Sequence, residues 1–182
     1  MYIIRGVIHR PQVLFLDEPT RGLDITSRNR IWHFFAEMRR HLGITVLLTT
    51  HYLEEAADCD NVAFLKAGRV IDRGAPAALV GALGEWLLEV EAEQKIIDRL
   101  ARRFARPIRD GGRATFRVPA GMDMSIAQLQ AELGEELVAL RRRRPTLNDV
   151  FLWLNEFSVA MLHPSTTAQA NVHPIPAART LR

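Results

Sequence analysis

Residues 13–20 of this chain are VLFLDEPT, and they set the architecture expected for its first part. Four apolar residues in a row, without alternation, are typical of a strand buried on both faces in a parallel sheet. The strand ends in two carboxylates, Asp17 and Glu18, at the edge where open α/β sheets bind ligands. One acid can hold Mg²⁺, and the other can orient or deprotonate an attacking water. A Leu-Asp-Glu sequence by itself is more often a solvated acidic turn. The neighbouring segments are therefore needed to distinguish such a turn from a catalytic site.

The neighbouring segments supply that context. Residues 27–42 carry apolar side chains at helical spacing, and residues 44–50 form a second apolar strand, also expected to be buried. Strand, helix and strand predict a crossover unit of a parallel sheet. Adjacent parallel strands end side by side, so His51 should emerge near the acidic pair and could donate a hydrogen bond to a γ-phosphate oxygen. Residues 1–10 have the pattern of the end of a helix.

The pattern changes after this unit. Residues 62–71 predict a hairpin, and Pro76 opens a short helix. Residues 86–142 follow the order βαββαβ, which predicts a small ferredoxin-like α+β module, and Thr146 caps a final helix. We therefore expect three regions, residues 1–83, 84–157 and 158–182, of which the last is a disordered tail.

Composition narrows the functional classes. A single cysteine in 182 residues excludes a disulfide framework, and the apolar runs are too short to cross a bilayer. No secretory signal is visible, so we expect a cytoplasmic protein that reaches a membrane only through a partner. Arg141 to Arg144 form a basic run, interpreted as a solvated strand end. No nucleic-acid partner is expected, because RNA recognition by such modules relies on strand aromatics and 113–118 supplies only Phe116.

Four motifs in order resemble those of ABC-transporter ATPases. Residues 13–20 resemble the Walker B segment, with Asp17 as the metal-site acid and Glu18 as the catalytic glutamate. Residues 21–24, RGLD, are similar to the D-loop, although Arg21 replaces the family's usual small residue. His51 matches the switch histidine. The stretch TTHYLEEA at 49–56 is particularly similar to the drug-resistance and nodulation-type exporter branch, and PTLNDVF at 145–151 resembles the end of its C-terminal extension.

Other family motifs are absent from residues 1–182. Lys66 precedes Ala and Lys95 precedes Ile, so neither belongs to a Gly-rich P-loop (Walker A), and no Leu-Ser-Gly-Gly signature or Q-loop is present. The resemblance implies a partial P-loop NTPase sheet, its Walker B half, that starts in mid-domain. In this family the P-loop makes most of the contacts that bind the phosphates of ATP. We therefore expect this chain alone to lack useful ATP affinity and to be inactive. The missing neighbouring strand should leave residues 13–16 as an open apolar edge.

The resemblance implies the ATP-binding subunit of an exporter, here represented in part, that couples ATP hydrolysis to transport. ATP and Mg²⁺ would be its cofactors, with Asp17 and Asp24 in the cofactor site and Glu18 and His51 acting in catalysis. Its partners would be a transmembrane permease subunit and a second ATPase domain, which Asp24 would touch. The alternative is a non-catalytic fragment or gene remnant that acts, if at all, by binding another subunit.

Overall fold

The computed structural model describes residues 6–104, 106–119, 121–122, 125–134 and 137–157, in a mixed α/β fold. The chain divides into two compact units, residues 1–55 and 56–182. The predicted tail, residues 158–182, and the first half of the predicted opening helix lie outside the described residues. Residues 6 and 7 are helical, as expected.

The first unit is built on a parallel strand pair. Its elements are β1 (Val13–Asp17), α1 (Ile25–Leu42), β2 (Thr45–Thr49) and the start of α2 (Leu53–Ala57). The pairing of β1 with β2 is parallel, from Val13 opposite Thr45 to Asp17 opposite Thr49, which confirms the predicted crossover. Among the described residues β1 pairs only with β2, so its other edge is open, as predicted.

The two strands are less buried than the sequence predicts. Leu14 on β1 packs with Phe35 and Met38 of α1, and these three are buried. Phe15 and Leu47 point to the other side, where their side chains are 72% and 57% exposed. The prediction of strands buried on both faces is therefore wrong, because α1 covers only one face and no described residue adds a second layer. This leaves an apolar sheet face in contact with solvent.

The second unit contains the later elements. Its elements are β3 (Val62–Lys66), β4 (Arg69–Gly74), α3 (Pro76–Gly81), β5 (Leu87–Ala92), α4 (Gln94–Phe104), β6 (Ile108–Asp110), β7 (Arg113–Arg117), α5 (Ile126–Leu133), β8 (Leu137–Arg143) and α6 (Leu147–Glu156). The predicted hairpin is confirmed, since β3 and β4 pair antiparallel. This hairpin packs on α6, with 6.1 Å between the ring centroids of Phe64 and Phe151 and 3.0 Å between Lys66 Nζ and the Asn155 carbonyl oxygen. The hairpin and α6 belong to the same compact unit.

A four-stranded sheet forms the centre of the second unit. Its strand order is β6-β7-β5-β8, and every neighbouring pair is antiparallel. One face packs against α4 and α5 in the largest apolar core of the described chain, with members that include Leu88, Val90, Ile97, Phe116 and Leu129. Alternation along β5 explains this arrangement, because Leu88 and Val90 face the helices while Glu89 and Glu91 face the other side.

The basic run at the end of β8 is mostly solvated, as predicted, since Arg141, Arg142 and Arg144 are exposed, but Arg143 is partly buried in an ion-pair cluster. The guanidinium of Arg143 makes two hydrogen bonds of 2.7 Å to the buried carboxylate of Asp149 and one of 2.5 Å to Glu89. Arg142 and Arg144 lie over the Trp86 ring, 4.4 and 5.0 Å from its centroid. Arg143 therefore joins β5, β8 and α6.

Candidate active site

The last residue pair of the β1–β2 ladder forms the floor of the site. Asp17 and Thr49 are opposite each other, and the Thr49 hydroxyl donates a hydrogen bond to the Asp17 carboxylate. Both strands end here because the chain turns directly after each of them. The residues that follow the two strands are therefore delivered to one rim of the sheet, as parallel pairing requires.

Glu18 has an unusual backbone conformation at this rim. Its φ is 41°, in the left-handed region that non-glycine residues seldom adopt. The backbone N–H of Glu18 donates to both the carbonyl oxygen and the hydroxyl oxygen of Thr49, each at 3.1 Å. Strained backbone of this kind is concentrated at functional sites, where surrounding contacts hold it in place. Thr49 thus supports both acids of the pair.

His51 meets Glu18 across the strand ends. The distance from Nδ1 of His51 to Oε1 of Glu18 is 3.3 Å, and the two side chains are 54% and 31% exposed. The backbone after His51 is shaped by Thr50, whose hydroxyl accepts from the Tyr52 N–H at 3.0 Å and donates to Glu55 at 2.7 Å. The predicted proximity of the imidazole to the acidic pair is therefore present.

The second oxygen of Glu18 faces an arginine. Arg21 places a guanidinium nitrogen 3.1 Å from Oε2 of Glu18, an ion-pair distance whose geometry does not make a hydrogen bond. Oε2 accepts no hydrogen bond from the described residues. The arginine side chain is 75% exposed, so solvent screens this contact. Arg21, which replaces the family's usual small residue, is thus the residue of the loop at 21–24 that contacts Glu18.

Asp24 has a structural task that the sequence analysis missed. It is the N-cap of α1, and its carboxylate accepts from the Ser27 N–H at 3.0 Å and the Ser27 hydroxyl at 2.6 Å. The side-chain hydrogen bond from Ser27, followed by the backbone bond, holds the pKa of Asp24 below its ordinary value. The helix therefore begins two residues before the predicted Ser27. An aspartate three residues before a serine at the start of an apolar periodic segment is a recognisable cap signal.

Three further residues belong to the surroundings of the site. Thr49 stood in a quoted motif but had no assigned role, although its position opposite Asp17 follows from pairing the two strands by their ends. Arg28 and Tyr52 contact each other, with the guanidinium carbon 3.7 Å from the ring centroid. No local pattern signals this contact, because its partners are distant in sequence. Within the described ranges, no three His, Cys, Asp or Glu side chains converge as a complete metal-binding group.

Comparisons with known proteins identify relatives of the chain. No family model matches the chain. The chain is 37% identical over 155 residues to Nod factor export ATP-binding protein I of Rhizobium johnstonii, across 84% of this chain and 49% of that protein. It is also 37% identical over 162 residues to doxorubicin resistance ATP-binding protein DrrA of Mycobacterium tuberculosis, across 81% of this chain and 48% of that protein. This chain belongs to the ABC-transporter ATP-binding proteins.

This ABC-transporter ATP-binding protein spans about half the length of the curated relatives that it matches. A solved structure of cbiO1 from Clostridium perfringens, part of the ABC transporter complex cbiONQ, is 36% identical to it. The match covers 51% of this chain and 33% of that one, with a TM-score of 0.37. No described helix combines the length and hydropathy that a bilayer crossing requires.

Proposed function

We propose that this chain supplies the hydrolytic half of an ATPase site in an ABC transporter. The observation that carries the proposal is the 3.3 Å approach of His51 to Glu18 at the rim where β1 ends in Asp17. In this assignment Asp17 is the Mg²⁺ ligand, Glu18 is the general base and His51 contacts the terminal phosphate. An acid, a base and a hydrogen-bond donor on one rim are the groups that phosphoryl transfer to water uses.

The residues at the rim fit Mg²⁺ and ATP. Mg²⁺ in phosphate-transfer sites takes one or two protein carboxylates and fills its shell with phosphate oxygens and water, so Asp17 alone suffices. When bound with ATP, Mg²⁺ would neutralise charge on the phosphate oxygens. The exposed position of Asp17 at a strand end leaves its carboxylate within reach of such a ligand.

The roles of the two catalytic candidates are argued from their side-chain atoms. Oε2 of Glu18 accepts no hydrogen bond from the described residues, but it is enclosed and lies 3.1 Å from Arg21, so it would accept the O–H of an attacking water only after the Arg21 side chain moves aside. Nδ1 of His51 faces the Glu18 carboxylate, which favours a proton on that nitrogen, so Nε2 would donate a hydrogen bond to a phosphate oxygen in the doubly protonated ring. Charge that develops on the phosphate during cleavage would strengthen this bond.

The chain alone should bind ATP weakly. Asp17 and Glu18 bring negative charge to a polyanion, and the sequence contains no P-loop whose amides and lysine would offset it. We predict no tight binding of ATP–Mg²⁺ to the isolated 182-residue protein in a calorimeter. Tight binding by this protein would mean that the phosphates are held by residues other than those assigned.

The partners proposed follow from the family. A second ATPase domain would complete the site from the side of Asp24, and a transmembrane permease subunit would use the closure of the two domains for export. The chain would then lie on the inner face of the membrane through that permease. For residues 84–157 we propose a ferredoxin-like accessory module, supported by the strand order β6-β7-β5-β8 with α4 and α5 on one face.

The decisive experiment supplies the motifs that this sequence lacks. The chain is combined with a polypeptide that carries a P-loop and a Leu-Ser-Gly-Gly signature, and phosphate release is measured for the wild type, Glu18→Gln and Glu54→Gln. Glu54 is an exposed acid on α2 and serves as the matched control. We expect Glu18→Gln to reduce kcat by about 100-fold or more, and Glu54→Gln to have no effect. Hydrolysis that is indifferent to Glu18→Gln would favour the alternative of a non-catalytic interaction module.

A further inference from the structure

A stack of three side chains connects helix α1 to the Glu18–His51 pair. The guanidinium carbon of Arg28 lies 3.7 Å from the centroid of the Tyr52 ring. The Tyr52 ring lies in turn 4.1 Å from the His51 ring between centroids, with 37° between the planes. The imidazole then reaches Glu18 through Nδ1. A continuous series of contacts therefore runs from Arg28 to the carboxylate proposed as the base.

Arg28 is held at its other end by the loop before α1. Its Nε donates to the carbonyl oxygen of Leu23 at 3.2 Å, and its backbone N–H donates to the carbonyl oxygen of Asp24 at 3.0 Å. The guanidinium is half-buried and contacts both this loop and the Tyr52 ring. Arg28 is thus placed to transmit a change in the loop at 21–24 to the segment that carries His51.

Tyr52 is fixed at two points. Its backbone N–H donates to the Thr50 hydroxyl at 3.0 Å, and its ring is covered by Arg28 on the electron-rich surface that cations prefer. His51 has no comparable restraint apart from its contacts with Glu18 and Tyr52 among the described residues, and its side chain is 54% exposed. A side chain this exposed would otherwise sample several rotamers.

We propose that Arg28 and Tyr52 are positioning residues that hold the His51 imidazole against Glu18 and couple its orientation to the loop at 21–24. The inference about orientation stands on the geometry of this chain, and its consequence for hydrolysis rests on the proposed function. Neither residue touches the reacting atoms. This positioning role requires a cation at position 28 and an aromatic ring at position 52.

Nuclear magnetic resonance of the 182-residue chain tests the orientation directly. In the wild type the Tyr52 ring current should displace the His51 ring-proton signals. Tyr52→Leu should abolish this displacement and Tyr52→Phe should preserve it. Arg28→Gln should reduce it and Arg28→Lys should largely retain it. The signals of the buried Phe35 ring on α1 report whether the unit is still folded. A Tyr52→Leu variant with unchanged His51 signals, or a Tyr52→Phe variant as perturbed as Tyr52→Leu, would overturn the proposal.

Turnover in the complemented ATPase tests the consequence. Tyr52→Leu and Arg28→Gln should lower kcat by about tenfold while the KM for ATP changes by less than about twofold, and the conservative variants should restore most of the rate. Glu18→Gln is measured in the same preparation. Loss of activity in Glu18→Gln with full activity in Tyr52→Leu would overturn the positioning role and leave the proposed function standing. Full activity in Glu18→Gln would reject the proposed function, while the magnetic resonance result still decides the orientation.

Discussion

Thr49 stands directly opposite Asp17 at the final pair of the β1–β2 ladder, and its hydroxyl is shared between the two acids of the rim. It donates to the Asp17 carboxylate and accepts from the Glu18 N–H. One small polar side chain therefore fixes the direction of Asp17 and supports the left-handed backbone of Glu18. This relationship explains how two neighbouring acids can be held for different tasks.

Replacing Thr49 by Val should disturb this arrangement while keeping the shape of the side chain. The variant loses one donor and one acceptor, so we expect the free energy of unfolding to fall by about 1 kcal/mol. The amide of Glu18 should also exchange faster with solvent. Urea denaturation and amide hydrogen exchange measure the two effects. Thr45→Val, at the opposite end of β2 and likewise exposed, is the matched control, and an equal loss in both variants would contradict the role of Thr49.

Phe15 should drive self-association of the chain. Its side chain is 72% exposed on a strand whose outer edge has no described partner, and exposed apolar edges pair with other chains. We expect Phe15→Ser to lower the average mass measured by light scattering at a fixed concentration, with little change in thermal stability. Ile25→Ser changes a residue that is 76% exposed on α1, and it should leave the mass unchanged. Equal effects of the two changes would argue against a specific role of the edge.

Asp24 should contribute to the stability of α1 independently of any partner domain. Asp24→Ala removes the acceptor for two hydrogen bonds from Ser27, so the midpoint of thermal unfolding should fall by a few degrees. Asn is a good N-cap, and Asp24→Asn should preserve most of the stability. Circular dichroism at increasing temperature distinguishes the two. If Asp24→Ala unfolds at the wild-type temperature, capping is not its main role and contact with a partner becomes the better explanation.

The Arg143–Asp149 pair should make the second unit sensitive to acid. Burial alone would raise the pKa of Asp149, but hydrogen bonds from Arg143 and Thr146 outweigh it and lower the pKa below its ordinary value. A lowered folded pKa means that the stabilisation is complete above the unfolded value of about 3.9 and is lost as pH falls through the folded value. The pKa of Arg143 is raised, first by its hydrogen bonds to Asp149, so it stays charged throughout this range.

Asp149→Asn should therefore lower the free energy of unfolding by about 3 kcal/mol at pH 7, because it removes the carboxylate that binds the half-buried guanidinium through two hydrogen bonds and leaves it only the ion pair with Glu89. The difference between wild type and variant should shrink as pH falls below about 4. Denaturant unfolding at several pH values measures it. Asp110→Asn, at an exposed position on β6, is the control. A difference that persists at low pH would show that the loss is one of packing and not of charge.

Local sequence was sufficient for much of the chain. The apolar strand before Asp17, the helical period of α1, the hairpin of β3 and β4 and the order of elements in the second unit all depend on residues close in sequence. Even the meeting of Glu18 and His51 could be predicted, because parallel strands that end in register deliver their next residues to one rim.

Tertiary structure alone decided the contacts between elements. The exposure of Phe15, the Arg28–Tyr52 stack and the division of the chain at Glu55 depend on which surfaces pack together, and no short pattern encodes that. The ion-pair cluster of Arg143 with Glu89 and Asp149 has the same origin. A charged or aromatic side chain carries no local signal of its distant partner, because the energy of such a contact exists only once folding has brought the two together.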